Sequence, residues 1–339
     1  MPPYKNPYYD PYKTHHTPTG FRNVHVAERV KKRGLMYWAA HELFTPEEPF
    51  APVTVPVDMT RIMRPDPHLA QATWIGHATF LLQYAGVNVL TDPVFSDRAS
   101  PLSFLGPKRK VPPAIALKDL PPIDYVLISH NHYDHLDAKS VEGLRDAVFY
   151  VPLGLKHWVR KHGVKEAHEM DWYDTDKTMY GAADPSCVTF LPAQHFSRRM
   201  PWDGNKSLWG SWTARIGDFR FFFGGDTGYM PEFAGVGARV GEVDLALVPV
   251  GAYEPREVLA GIHATPEEAV KIAKDVGAKR VLPMHWSTFR LTIEPMAEPG
   301  ARFRKAVDKA GYDAATAPVL RIGETYAFTP EKKPPGCGT

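Results

Sequence analysis

The chain has 339 residues, 44% of them apolar and 23% charged, enough for one large or two small globular domains with a full core. Forty basic against thirty-eight acidic residues leave a formal charge of +2 with no long basic stripe, which argues against nucleic acid as a partner. Two cysteines, Cys187 and Cys337, cannot build a disulfide framework and read as free thiols in a reducing cytoplasm.

The N-terminus, MPPYKNPYYDPYKTHH, lacks the apolar core of a secretory signal, and no uncharged apolar run approaches the ~18–20 residues of a membrane span. A cytoplasmic protein is expected, peripheral to a membrane at most. Eleven of the thirty-three prolines precede residue 70. Residues 1–69 therefore read as a Pro-rich arm with one helix, packed on a main domain of residues 70–330, with 331–339 as a tail. Residues 1–20 are expected to be irregular. The helix spans 24–44, where Arg29, Lys31, Lys32 and Arg33 adjoin Leu35, Met36, Tyr37 and Trp38. Two readings stand for it: an amphipathic helix packed on the domain, or a segment that meets an anionic membrane surface.

From residue 72 the pattern changes: ATWIGHATFLLQY reads as one strand, Ala85-Gly86 as a turn and VNVLTDP as its hairpin partner. The run PIDYVLIS (122–129) is a buried strand, Asp137 caps a helix over 138–147, FYVPLG is a short strand, and LKHWVRKHG a helix closed by Gly163. CVTFLPAQH, RFFFGGD, VDLALVPVG and RVLPMH are further strands. Between the last two, TPEEAVKIAKDVG carries a capping box, with Thr265 at the N-cap, Pro266 at N1 and Glu268 at N3; Arg302–Ala310 is the final helix. Strands that alternate with helices, several of them wholly apolar, predict an α/β sandwich.

Chemistry concentrates at the strand ends. SHNHYDHLD (129–137) places His130, His132, Asp134 and His135 where a buried strand runs out into a loop. CVTFLPAQH ends in His195, RFFFGGD in Asp226 and RVLPMH in His285. Imidazole and carboxylate without thiolate suit a catalytic zinc, iron or manganese ion. Seven candidates exceed one tetrahedral ion and fit two if one carboxylate bridges. A lone strand-end histidine is an ordinary polar core residue; the joint occurrence makes the case. Asp92, also at a strand end, either orients a ligating histidine or opens an Asp-Pro turn. His77, between Gly76 and Ala78, either approaches the site or is a buried core histidine. His263, two residues before the Thr265 cap, lies where an anionic ligand would meet a helix N-terminus.

The sequence closely resembles the metallo-β-lactamase superfamily, and within it the N-acyl-phosphatidylethanolamine-hydrolysing phospholipase D branch. The resemblance runs over about residues 70–330, through WIGHATF, TDPVFSDRASP, GPKR, LISHNHYDHLD, PAQH, LWGSW, FFFGGDTGY, PVGAYEPR and MHWSTF. It implies a four-layer αββα sandwich with two divalent metal ions at one edge. His130, His132 and His195 would hold the first ion, Asp134, His135 and His285 the second, and Asp226 would bridge. No ligand position is missing. The resemblance also places His263 in the active site, so Asp134 and His263 are the candidate catalytic groups. Tyr133, Tyr229, Tyr253 and Arg256 are candidates for the substrate rim.

The expected function is a phosphodiesterase of phospholipase D type, in which a metal-bridging hydroxide attacks phosphorus and releases an N-acylethanolamine and phosphatidic acid. The same site could instead hydrolyse a lactone or a small cyclic phosphodiester. A scaffold with purely structural metals is the third reading, and open His/Asp ligation argues against it. The partners are a phospholipid or other small ester; peripheral membrane contact and a homodimer are both left open.

Overall fold

A computed structural model describes residues 4–25, 50–179, 186–334, 336 and 337. Two sheets lie face to face. The first orders its seven strands β15-β3-β4-β5-β6-β7-β8: Thr325–Phe328, Ala70–Gly76, Thr79–Tyr84, Val87–Thr91, Tyr125–Leu127, Val148–Pro152 and Glu166–Met170. The second orders six as β14-β13-β12-β11-β10-β9: Ala278–Met284, Val243–Pro249, Phe219–Phe223, Ser211–Ile216, Ser186–Leu191 and Thr175–Asp176.

Alternation along each strand builds the layers. Leu245 and Leu247 of β13 join Phe221, Phe223 and Trp212 in the core between the sheets, where Trp74, Phe80 and Tyr150 meet them from the first sheet. Ala246, Val248 and Phe222 point the other way, onto the helices Phe233–Val240, Pro266–Asp275 and Glu298–Lys309. On the far side, Leu81, Val126 and Phe149 pack under the helices Ala138–Gly143 and Lys156–Lys161 through Val141 and Val159. Both faces of each sheet are thus covered, which is why these strands read as continuous apolar runs. Burying each phenylalanine of the RFFFGGD strand stabilises the sandwich by roughly 1.5–3 kcal/mol. The result is the expected αββα sandwich.

Several local expectations are corrected. ATWIGHATFLLQY is two antiparallel strands, β3 and β4, and not one. The chain reverses at Gly76 and His77, both at positive φ (139° and 53°), and β5 completes a three-strand meander. The arm is ordered where irregular chain was expected: His16–Thr17 and Gly20–Phe21 pair as a short hairpin, β1 and β2. Asp171 anchors it, accepting from Lys13 Nζ at 2.5 Å, with His15 Nε2 at 2.7 Å and His16 Nε2 at 2.9 Å. The helix expected over 24–44 lies almost entirely outside the described residues.

Cys187 and Cys337 are not free thiols but form a disulfide. Beside it Lys333 makes a buried ion pair with Asp244 at 2.6 Å, and Arg215 donates to the carbonyls of Pro334 and Gly336. The C-terminal segment is therefore fastened to the second sheet. No helix among the described residues is long and apolar enough to cross a membrane.

Candidate metal centre

The strands β3, β5, β6, β10, β12, β13 and β14 all point the same way, so their C-terminal ends share one edge of the sandwich. That edge collects the chemistry. His130, His132, Asp134 and His135 follow β6, His195 follows β10, Asp226 follows β12 and His285 follows β14 directly. All seven side chains converge.

Two groups form. The candidate ligand atoms of His130, His132, His195 and Asp226 lie within 4.8 Å of one another, and so do those of His77, Asp134, His135 and His285. In the first group His132 Nδ1 is 2.8 Å from His130 Nε2 and 3.2 Å from His195 Nε2. Asp226 faces both groups. Its Oδ2 is 3.7 Å from His195 Nε2 and 3.3 Å from His135 Nε2, while its Oδ1 is 3.1 Å from His285 Nε2. Asp134 Oδ2 is 3.3 Å from His285 Nε2.

The ring nitrogens behind this cluster are pinned. His195 Nδ1 donates to the Ile262 carbonyl at 2.9 Å, and His135 Nδ1 donates to Asp92 Oδ2 at 2.6 Å. Each therefore turns its Nε2 towards the cluster, the nitrogen left for metal ligation once the Nδ1 proton is held from behind. Asp92 also accepts from the Ser129 amide (2.7 Å) and hydroxyl (2.5 Å), and Ser129 Oγ reaches His130 Nδ1 at 2.9 Å. Asp92 is thus an orienting residue and not merely the start of an Asp-Pro turn. Ser129, which connects it to His130, escaped the sequence reading; its only signal was a small hydroxyl residue directly before the histidine cluster. His77 Nε2 donates to Asp134 Oδ2 at 3.0 Å, which places it in the site and not among ordinary core histidines.

Backbone strain marks the same edge. Asp92, His77 and His285 hold φ of 30°, 53° and 63°, a region that costs a non-glycine residue about 1–3 kcal/mol. At Gly225 (φ 57°) a Cβ would come within 2.5 Å of Ser129 Cβ, so glycine is required for Asp226 to approach the histidines.

The electrostatics fit a cation site. Burial holds His130 well below the usual imidazole range and brings His132 to about 3 and His195 to about 4, so this group presents neutral lone pairs. Burial would also raise Asp134 and Asp226, but His135 outweighs it and keeps both carboxyls well below their usual range. On His135 and His285 burial opposes charge, yet Asp226 and Asp134 overcome it, lifting His135 well above its usual value and His285 to about 9. Carboxylates that draw protons onto these rings would equally draw divalent cations, which displace the protons. Buried His135 Nε2 and Asp226 Oδ1 make no hydrogen bond although other polar atoms lie close, as expected of donor atoms aimed at a common point.

His263 is buried, with Nδ1 3.9 Å from Asp226 Oδ2 and its ring between His195 (5.0 Å) and His285 (5.6 Å). Arg256 is tied down beside His263: its Nη1 holds the His263 carbonyl at 2.8 Å and its Nη2 pairs with Glu268 at 2.9 Å. Tyr253 is corrected outright. It is fully buried, donating to Glu298 at 2.7 Å, and cannot line a rim. Tyr229 turns its hydroxyl to Asp275 at 2.8 Å, away from the cluster. Only Tyr133, in the histidine loop itself, borders an open cleft of about 550 Å³.

Replacing Asp92 by Asn removes the charged acceptor of His135 Nδ1. A chelator-competition titration is expected to show metal affinity at the His135 group falling about 10- to 100-fold. Unchanged affinity would return Asp92 to the role of a turn residue.

Residues 87–286 match the model of the β-lactamase superfamily domain. The N-acyl-phosphatidylethanolamine-hydrolysing phospholipase D 1 of Caenorhabditis elegans is 40% identical, over 70% of this chain and 69% of that protein. The mitochondrial enzyme of the same name from Saccharomyces cerevisiae is 35% identical over 76% of this chain and 55% of its own. Among solved structures Igni18, a metallo hydrolase of the archaeon Ignicoccus hospitalis, is similar in fold, with a TM-score of 0.59 at 22% identity over 77% of this chain and 98% of that one. The chain belongs to the metallo-β-lactamase superfamily, as a metal-dependent hydrolase of the branch that holds the N-acyl-phosphatidylethanolamine-hydrolysing phospholipases D.

Proposed function

We propose that the protein is a dinuclear metal-dependent phosphodiesterase that hydrolyses N-acyl-phosphatidylethanolamine-like lipids to phosphatidic acid and an N-acylethanolamine. The observation that carries the dinuclear reading is the Asp226 carboxylate, which turns one oxygen or the other towards both histidine groups. The names of the relatives support the lipid substrate. His130, His132 and His195 would hold one ion, Asp134, His135 and His285 the other, and Asp226 both. Zinc suits this donor set best, with iron or manganese as alternatives. Bound there, divalent ions supply Lewis acidity towards the phosphoryl oxygens and bring the pKa of water from 15.7 to about 7.

The protein's own groups do the rest. Asp92 and Ser129 fix the rings of His135 and His130, so the donor atoms need no reorganisation. His77 holds one oxygen of Asp134 and leaves the other to accept a proton at the reacting centre. His263, held from behind by Arg256, donates to the phosphoryl oxygens or protonates the ethanolamine oxygen as its bond to phosphorus breaks. The hydroxyl equivalent of water ends on phosphorus and its proton on the departing alcohol.

Three substrates assayed side by side on the metal-loaded protein test this reading: bilayer N-acyl-phosphatidylethanolamine, a lactone and a small cyclic phosphodiester. Phosphatidic acid is expected as the dominant product. Faster turnover of the lactone or the cyclic diester would replace the lipid as substrate.

A further inference from the structure

Two loops beside the cleft carry apolar side chains that stand exposed among the described residues. On the first, Phe104 is 75% and Leu105 61% exposed, next to exposed Leu102; on the second, Trp202 is 68% exposed, next to exposed Met200. The loops meet across the cleft, where Leu102 and Ser103 face Met200 and Tyr133. Tyr133 sits between His132 and Asp134 in the histidine loop and contacts Met200 Sδ at 3.7 Å, so the patch adjoins the candidate metal centre.

These tips are held out by built structure. Arg199 donates to the carbonyls of Asn131 (2.8 Å) and Leu136 (2.7 Å), and its guanidinium lies over the rings of Tyr133 (4.0 Å) and Trp158 (4.8 Å). In the first loop the Ala99 amide donates to Pro107 at 3.0 Å, the Arg109 amide to Asp97 at 2.8 Å and Arg98 Nη1 to Gly106 at 2.6 Å. Both loops are closed at the base and apolar at the tip.

Their charge is lopsided. Residues 96–110 and 196–206 carry seven lysines and arginines against two acids, Asp97 and Asp203, in a chain whose formal charge is only +2. Arg109 is buried and Arg199 is bound to carbonyls, which leaves Arg98, Lys108, Lys110, Arg198 and Lys206 at least partly exposed. Asp203 is already committed, accepting from the amides of Arg199 (3.0 Å) and Met200 (2.9 Å). Exposed aromatic and aliphatic tips on a cationic base match an anionic lipid surface, where tips enter the acyl boundary and cations meet the headgroups.

We propose that the loops 100–106 and 198–204 are the surface by which this protein rests on an anionic bilayer, with the cleft opening onto the lipid. The inference deepens the lipid-hydrolase reading and assigns the contact to residues other than the basic segment 29–38, which falls outside the described residues.

The test is co-sedimentation of the full-length, metal-loaded protein with phosphatidylcholine/phosphatidylglycerol vesicles at low and high salt. The triple variant Phe104→Ser/Leu105→Ser/Trp202→Ser is expected to partition at least about ten-fold more weakly, with metal content and turnover of a water-soluble ester unchanged. If that variant misfolds, Lys108→Glu/Arg198→Glu serves instead. It is expected to lose about ten-fold in binding at low salt and to shed most of its salt dependence. Equal partitioning of wild type and variant would overturn the proposal. So would wild-type protein that ignores the vesicles, or a variant that changes only the oligomeric state in size-exclusion, which would make the patch a contact between copies of the chain. Vesicle binding that persists without any release of phosphatidic acid would sustain the surface and overturn the lipid substrate, so the two failures are distinguishable.

Discussion

Asp226→Ala is expected to empty both ion positions at once and to lower turnover by about three orders of magnitude. Its carboxylate reaches both histidine clusters, 3.7 Å from His195 and 3.3 Å from His135 on one oxygen and 3.1 Å from His285 on the other. Removing it would take a negative charge from a buried site that, on the proposed reading, neutralises two divalent cations. Lewis-acid stabilisation worth several kcal/mol is lost with the ions, and each 1.36 kcal/mol is a factor of ten in rate. Elemental analysis of the variant reads the first effect and single-substrate kinetics the second. A variant that keeps one tightly held ion and full activity would sink the bridging role. Gly225→Ala gives an independent approach to the same carboxylate, since its methyl would press on Ser129 and displace the Asp226 turn.

His263→Ala should behave differently: turnover falls about 10²–10⁴-fold while metal content stays near wild type. The ring lies between His195 and His285, and its Nδ1 is 3.9 Å from Asp226 Oδ2, near enough to meet substrate beside the ions. His130, His132 and His195 form a convergent group without it. Loss of metal together with activity would place His263 among the ligands. Unchanged turnover would reduce it to a packed histidine whose carbonyl anchors Arg256. Because Arg256 touches His263 through its backbone oxygen, from behind, Arg256→Ala should shift the same kinetic constants by a smaller factor without touching metal content.

How far the molecule could be read from its residues follows from which interactions are local. The strand Phe219–Phe223 was legible because both its faces are buried, so every position is apolar or covered. The helix Pro266–Asp275 was legible because its capping box lies within four residues of sequence, and Thr265 and Glu268 exchange both hydrogen bonds as expected. The seven metal-affine residues stood out because all of them follow the C-terminal ends of four apolar strands. Long-range relations were not legible. The edge strand EAHEM mixes polar and apolar residues without alternation and lacks β-branched side chains, so nothing local marks it; β7 pairs with it across a helix. The reversal at His77 depends on a positive φ that Thr288 stabilises from 211 residues away, through a 2.7 Å bond to the His77 amide. Tyr253 read as a rim residue from its place in the loop 253–256, but its partner Glu298 begins a helix 45 residues later. The Cys187–Cys337 pair spans 150 residues, and a Gly/Pro-rich tail carries no pattern that would predict where it docks. Ser129 was overlooked because its role is to carry a hydrogen bond from Asp92 to His130, 37 and one residues away.

The central claim is that two ions act together at one edge of the sandwich, and a stoichiometric reconstitution tests it most directly. Metal-stripped protein is titrated with zinc while release of phosphatidic acid from bilayer N-acyl-phosphatidylethanolamine is followed in the same samples. Activity is predicted to stay low through the first equivalent and to saturate at two per chain. Saturation at a single equivalent, with no further change on adding a second, would contradict the dinuclear site.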